Sequence, residues 1–174
     1  MNTIEFGDCR DIMKRWRDEG VKVQTCITSP PYFGLRDYGH DNQIGLEENV
    51  SDYVANLVDV FEHVWHLLSD DGTLWLNLGD SYAGSGKGPS KSLNGEHHRL
   101  EDKHSKIVPD GLKPKDLIGV PWRVAFALQN FGWYLRQDII WHKPNPMPES
   151  VKDRCTKNHE YIFLMSKEQR YYYD

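Results

Sequence analysis

At 174 residues and 39% hydrophobic composition, the chain has the length of one domain and apolar material for one core. Its net charge of −5 lacks the basic excess of an evident nucleic-acid binder, which on composition alone counts against DNA as a partner. No apolar run approaches the roughly 20 residues of a membrane span. Residues 1–5 carry no signal-peptide pattern, and Cys9, Cys26 and Cys155 suggest neither a disulfide framework nor a zinc site. The expectation is a cytoplasmic protein without metal.

In chain order, Ile4-Glu5-Phe6 reads as a short strand ending at Gly7-Asp8. Asp8 suits the N-cap of a helix in which Cys9, Ile12, Met13 and Trp16 repeat at helical spacing up to Gly20. Val21 to Ile27 is a buried strand, because Val21, Val23, Cys26 and Ile27 are apolar. It stops at Thr28-Ser29-Pro30-Pro31-Tyr32, where two prolines fix φ and cannot donate to a ladder. Phe33 to Asn49 contains Gly34, Gly39 and Gly45 and has no period, so it is a loop. Its Asp37, Tyr38 and His40 read individually as solvated side chains. The clearest helix follows: Val50, Tyr53, Val54, Leu57, Val58, Phe61, Val64, Trp65 and Leu68 keep i, i+3, i+4 spacing and end before Asp71-Gly72. With Thr73 to Leu78 as the next strand, this order predicts a right-handed parallel crossover.

Asp80-Ser81-Tyr82-Ala83-Gly84-Ser85-Gly86-Lys87-Gly88 imitates a phosphate loop, but Gly88 stands where Ser or Thr would hold magnesium. A glycine-rich cofactor loop needs a helix next, and Pro89 to His98 is polar and aperiodic. Residues 83–114 are therefore expected as a flexible insertion, with Lys87, Lys91, Arg99, Lys103, Lys106 and Lys113 offset by acidic neighbours. His97, His98 and His104 have no Cys or second histidine cluster to close a metal site. Pro121 opens a helix striped by Val124, Ala127, Leu128 and Phe131, and Gly132 closes it. Trp133 to Trp141 and Glu160 to Met165 are strands, joined through the stiff turn Lys143-Pro144-Asn145-Pro146-Met147-Pro148.

The Ser29-Pro30-Pro31-Tyr32 turn joins a hydroxyl, carbonyls without competing N–H groups, and an aromatic ring. By itself it reads equally as a stiff loop. Its chemistry suits a planar group with an amine on its edge. An exocyclic amine is a poor nucleophile because its lone pair is delocalised into the ring. Acceptors on its N–H bonds, here the Ser29 hydroxyl and Pro30 carbonyl, draw it toward a reactive tetrahedral nitrogen. Tyr32 can stack on a base that has left its duplex.

Thr28 to Tyr32 resembles the catalytic motif of amino-group DNA methyltransferases that use S-adenosyl-L-methionine. Gly7-Asp8-Cys9, Leu74 to Asp80 and Asp138 to Pro146 resemble further segments of that family in the same order, from about residue 3 to about residue 168. The resemblance implies an α/β fold, Rossmann-like, with a mostly parallel sheet and an antiparallel last strand. It implies catalytic roles for Ser29, Pro30, Pro31 and Tyr32, and cofactor contacts from Gly7, Asp8 and Thr28. Lys143 and Asn145, with Lys152 and Arg154 as a phosphate-facing set, would touch double-stranded DNA. The Ser-first motif favours cytosine N4. Adenine N6 is the alternative base, and a non-catalytic DNA-binding or subunit fragment is the alternative class; methylation of a protein amide fits Asn better than Ser at position 29. The family's recognition region and Phe-x-Gly-x-Gly cofactor loop would follow Asp174. The fold is thus expected to be incomplete, with a C-terminal part or a second chain completing the cofactor site. An exposed sheet edge would favour association, including a homo-oligomer.

Overall fold

Asp8 initiates the first helix, α1 (Cys9–Asp18), by accepting the Arg10 N–H at 2.9 Å, so the expected N-cap is formed. The computed structural model describes residues 3–40, 42–84 and 108–174. Strand β1 (Val23–Thr28) leads through the long loop to α2 (Val50–Leu67), which passes directly into β2 (Leu68–Leu78). Helix α3 (Val120–Phe131) and strands β3 (Tyr134–His142) and β4 (His159–Ser166) complete the order.

The sheet runs β1-β2-β4-β3. β1 pairs parallel with β2, and β4 lies antiparallel between β2 and β3, so three strands point one way and the last one runs against them. This is a mixed α/β sheet, with one parallel and two antiparallel pairings and the expected antiparallel last strand. β2 begins with a bulge: Leu68 pairs with Val23, and regular pairing resumes at Thr73 opposite Thr25. Gly72 sits inside that bulge because a β-carbon there would stand 2.9 Å from the Ser69 carbonyl and 3.0 Å from that of Gln24.

Strand alternation divides the sheet into two unlike faces. Leu74, Leu76 and Leu78 of β2, with Phe163 and Met165 of β4, turn toward the helices. There they join Tyr53, Leu57, Phe61 and Val64 of α2 and Val124 and Leu128 of α3 in one core. Each such side chain contributes roughly 1.5–3 kcal/mol of burial. The opposite face carries Ile27, 77% exposed, together with Trp141 and Trp75; Tyr173 stacks on Trp75 with ring centroids 6.4 Å apart.

Ile4-Glu5-Phe6 departs from expectation. It joins no ladder among the described residues, and Ile4 and Phe6 are 83% and 91% exposed. The apolar alternation is real, but no neighbouring strand or apolar surface receives it. Glu5 instead pairs with Arg15 of α1 at 3.0 Å.

The expected insertion lies mostly outside the described residues, including Gly86, Lys87, Lys91, Arg99, Lys103, Lys106, His97, His98 and His104. Its described ends are joined. The Ala83 N–H donates to Asp116 O at 2.9 Å, Lys115 N–H to Ala83 O at 2.8 Å, and Ile118 N–H to Ser81 O at 3.0 Å. Asp80 completes the junction, its Oδ1 accepting from Ser81 N–H and Val120 N–H, both at 2.9 Å. Because the N-cap Gly119 has no side chain, Asp80 caps α3 from the end of β2. No described helix is long and apolar enough to cross a membrane, and no three metal-ligating side chains cluster among the described residues.

Candidate active site

The motif leaves the C-terminal end of β1 and is fastened to the core behind it. Tyr53 of α2, fully buried, donates its hydroxyl to Pro31 O at 2.9 Å. Leu35 N–H reaches Tyr32 O at 3.2 Å, and Gly34 N–H reaches Gly45 O at 2.7 Å. Gly45, at φ +106°, lets the loop pass close: a β-carbon there would stand 3.1 Å from Tyr32 O. With the Pro31 carbonyl taken by Tyr53, no donor among the described residues reaches the Pro30 carbonyl.

Five side chains converge here, two from the loop itself and three from the sheet. Ser29 Oγ donates toward Tyr32 Oη at 3.2 Å and Asn77 Oδ1 at 3.3 Å. Tyr32 Oη lies 2.6 Å from Asn77 Oδ1 and 3.2 Å from Glu160 Oε2. Asn77 Nδ2 donates to Tyr161 O at 3.2 Å, which turns the amide oxygen toward the tyrosine. Lys143 Nζ donates to the other Glu160 oxygen, Oε1. Three elements build the cluster: Asn77 from β2, Lys143 just beyond β3, and Glu160 from β4. Burial raises the Tyr32 phenol to about 12; the Ser29 hydrogen bond works against this and the Glu160 charge adds to it. The hydroxyl therefore stays protonated at neutral pH. A cleft of about 390 Å³ beside Ser29 is lined by Thr28, Asn77, Ile27, Trp75 and Trp141.

Of the residues expected from sequence, Ser29, Tyr32 and Lys143 share this network, and Pro30 and Pro31 shape it. Gly7 and Asp8 stand at the start of α1, outside the network. Both Asp8 oxygens hold the Arg10 guanidinium, at 3.1 and 2.7 Å, which keeps the carboxyl below its ordinary value. Asn145 and Lys152 are exposed. Arg154 is engaged, with Nη1 2.5 Å from Glu149 Oε2 and its guanidinium 3.9 Å above the Tyr82 ring. Asn77 and Glu160 were not expected as site residues. The signal was present: each is a lone polar residue in an apolar strand, Leu74 to Leu78 or Glu160 to Met165.

The DNA methylase family N6_N4_Mtase matches residues 23–174. The chain belongs to this family. It is 55% identical over 172 residues to type II methyltransferase M.SmaI of Serratia marcescens, covering 98% of this chain and 58% of that protein. Type II methyltransferase M.Cfr9I of Citrobacter freundii is 48% identical over 180 residues, covering 99% and 56%. Among solved structures, the cytosine-N4-specific PvuII DNA methyltransferase superposes with TM-score 0.59 at 18% identity, covering 95% of this chain and 49% of that one. The M1.HpyAVI–SAM complex gives 0.55 at 16% identity, covering 98% and 57%. At such identities the likeness is one of fold. The chain spans a little more than half the length of these two curated relatives.

Proposed function

We propose that this chain is the catalytic part of a DNA methyltransferase that moves a methyl group from S-adenosyl-L-methionine to the exocyclic amine of a base flipped out of double-stranded DNA. The observation that carries this reading is the pairing of two acceptors on a loop anchored by Tyr53: the Ser29 hydroxyl, and the Pro30 carbonyl, which no donor among the described residues reaches. Such a pair grips both N–H bonds of an amine and stabilises the positive charge that grows on it. Tyr32 supplies the adjoining ring. Cytosine N4 is the favoured target because Ser leads the motif; adenine N6 is the competing base.

Gly7, Asp8 and Thr28 are proposed to hold S-adenosyl-L-methionine, which when bound supplies an electrophilic methyl on a sulfonium. The donor set fits its adenosine part, because Asp8 is anionic, with 42% of its side chain exposed as an acceptor for amino or hydroxyl groups. β1 is an edge strand of the described sheet, Ile27 on it is exposed, and so are Ile4 and Phe6 ahead of α1. Further chain, whether the rest of a longer polypeptide or a second subunit, is proposed to cover this side and finish the cofactor site. Residues 1–174 act as one catalytic domain in this reading, with the segment at about 83–114 an insertion in it, and the protein works in the cytoplasm with DNA.

The test is to incubate the protein with labelled S-adenosyl-L-methionine and duplex DNA, then identify the modified nucleoside by mass spectrometry. N4-methylcytosine is the expected product. N6-methyladenine would reassign the base. DNA affinity without methyl transfer, even with the completing chain added, would favour the non-catalytic fragment.

A further inference from the structure

The hydrogen-bond chain from Ser29 ends in a group that has no place in the reading above. Ser29 Oγ stands 3.2 Å from Tyr32 Oη, which stands 3.2 Å from Glu160 Oε2. Glu160 is the one carboxylate in a cluster otherwise made of a hydroxyl, a phenol, an amide and an ammonium. Its side chain is 21% exposed, and β4 holds it rigidly, with its backbone paired to Trp141 of β3. Lys143 occupies Oε1 and so leaves Oε2 facing the tyrosine. Glu160 itself stands on a strand, where placement is more exact than on a loop, and the loop that carries Ser29 and Tyr32 is anchored by Tyr53.

We propose that Glu160 is the terminal acceptor of the proton released when the amine is methylated, reached through Ser29 and Tyr32. This inference rests on the methyltransferase reading. The amine lone pair forms the new N–C bond, and the electron pair of the broken C–S bond leaves with the thioether. The nitrogen then carries one proton too many. That proton passes to Ser29 Oγ as the serine's own proton moves to Tyr32 Oη and the tyrosine's own to Glu160 Oε2. The products are a neutral methylated amine and a neutral carboxyl beside the Lys143 ammonium, and solvent recovers the proton from the partly exposed Glu160.

The alternatives within the cluster fail on chemistry. A serine hydroxyl cannot retain a second proton, and the Asn77 amide oxygen accepts hydrogen bonds but is not a base near neutral pH. The Tyr32 phenol, held at about 12, transmits a proton in concert and does not store negative charge. Its hydroxyl has two acceptors, Asn77 Oδ1 at 2.6 Å and Glu160 Oε2 at 3.2 Å. Only the second can keep what it receives. Turning the O–H from one to the other needs no movement of heavy atoms.

Two readouts test this. The first needs no cofactor: tyrosine labelled at Cζ is followed by NMR, and the Tyr32 signal is assigned by its loss in Tyr32→Phe. That signal should differ between the parent and Glu160→Gln, because the carboxylate facing the Tyr32 O–H is replaced by a neutral amide of the same shape. A Tyr32 signal that is the same in both overturns the proposal. The second uses the methylating enzyme together with whatever chain completes it. Glu160→Gln keeps an acceptor of the same shape but no basicity, so kcat should fall about 10²–10⁴-fold with KM for DNA held. The acid limb of the kcat–pH profile should vanish, and Glu160→Asp should restore part of the rate. Unchanged kcat and pH profile in a folded Glu160→Gln would overturn the relay while leaving the methyltransferase reading intact. A parent protein that moves no methyl although Tyr32 follows Glu160 would instead overturn that reading, and the relay's purpose with it.

Discussion

Gly79 and Tyr32 share a space that admits no extra carbon: a β-carbon on Gly79 would stand 2.6 Å from Cε2 and 2.8 Å from Cδ2 of the tyrosine ring. Unbonded carbons pack best at about 3.5–4.0 Å, and both of these distances fall far inside that. The end of β2 therefore acts as a seat for Tyr32, and the ring's position sets where its hydroxyl meets Ser29, Asn77 and Glu160. Gly79→Ala must displace the ring. The expected cost is about 1–3 kcal/mol in denaturant unfolding, as for other overpacked sites. Methyl transfer should slow by up to about 10²-fold, the scale of a 1 Å misplacement of a reacting group. An alanine variant with parental stability and rate would show that the seat is dispensable.

Tyr53 performs the matching task from below. Tyr53→Phe keeps the buried ring but takes the hydroxyl that donates to Pro31 O, leaving that carbonyl without this donor. The expected loss is about 1–3 kcal/mol, measured by urea unfolding. The substitution should also change the response to alkali. Burial chiefly, with the Glu47 charge nearby, raises the Tyr53 phenol above its ordinary value. Its folded pKa thus exceeds its unfolded one, so its contribution is full below about pH 10 and is lost as pH climbs toward the folded value. The parent should lose stability in that window more steeply than Tyr53→Phe. Equal slopes would sink the assignment.

The elements legible in sequence are those whose pattern is local. α2 announced itself by eight apolar residues at helical spacing, the ninth expected one, Leu68, opening β2 instead, and the Ser29-Pro30-Pro31-Tyr32 turn by its two prolines. Asn77 and Glu160 show in the sequence as lone polar residues in apolar strands, but their role is not legible there, because it depends on a meeting across the sheet. Asn77 pairs with Ile162, which brings it beside Glu160, and the Tyr32–Glu160 hydrogen bond spans 128 positions. Asp80 shows the reverse error of locality. It looked like part of a glycine-rich loop but caps α3, forty residues downstream. Ile4-Glu5-Phe6 has a strand's alternation without a neighbour to pair with, and alternation alone forms no ladder.

Asp8 separates capping from cofactor binding by pH. Hydrogen bonds from Arg10 lower its folded carboxyl below the unfolded value, so its stabilising contribution is present at neutral pH. It is lost as pH falls through the unfolded value, about 3.9, to the lower folded one. Asp8→Ala should melt below the parent at neutral pH, by about 0.5–2 kcal/mol for the missing cap, and the two should converge in acid. Asp8→Asn, which still caps, should recover most of that stability. If the carboxylate also holds the cofactor, Asp8→Asn should nevertheless weaken S-adenosyl-L-methionine binding in calorimetry. Parental affinity in that variant would confine Asp8 to the helix.

Lys152 and Arg154, two residues apart, should behave differently. Lys152 is exposed and forms no ion pair among the described residues, so its charge is available to a phosphate. Arg154 is committed to Glu149 and to the Tyr82 ring, and releasing it would uncover both. Lys152→Ala is therefore expected to weaken duplex DNA binding equally for all sequences. It should also reduce the slope of log affinity against log salt by about 1, with no change in melting. Arg154→Ala should lower the melting temperature through lost packing, while the salt slope stays near that of the parent. Fluorescence anisotropy at several salt concentrations, read beside thermal melts, decides the matter. A salt slope that falls for Arg154→Ala and not for Lys152→Ala would reverse the two assignments and move the DNA path toward Tyr82.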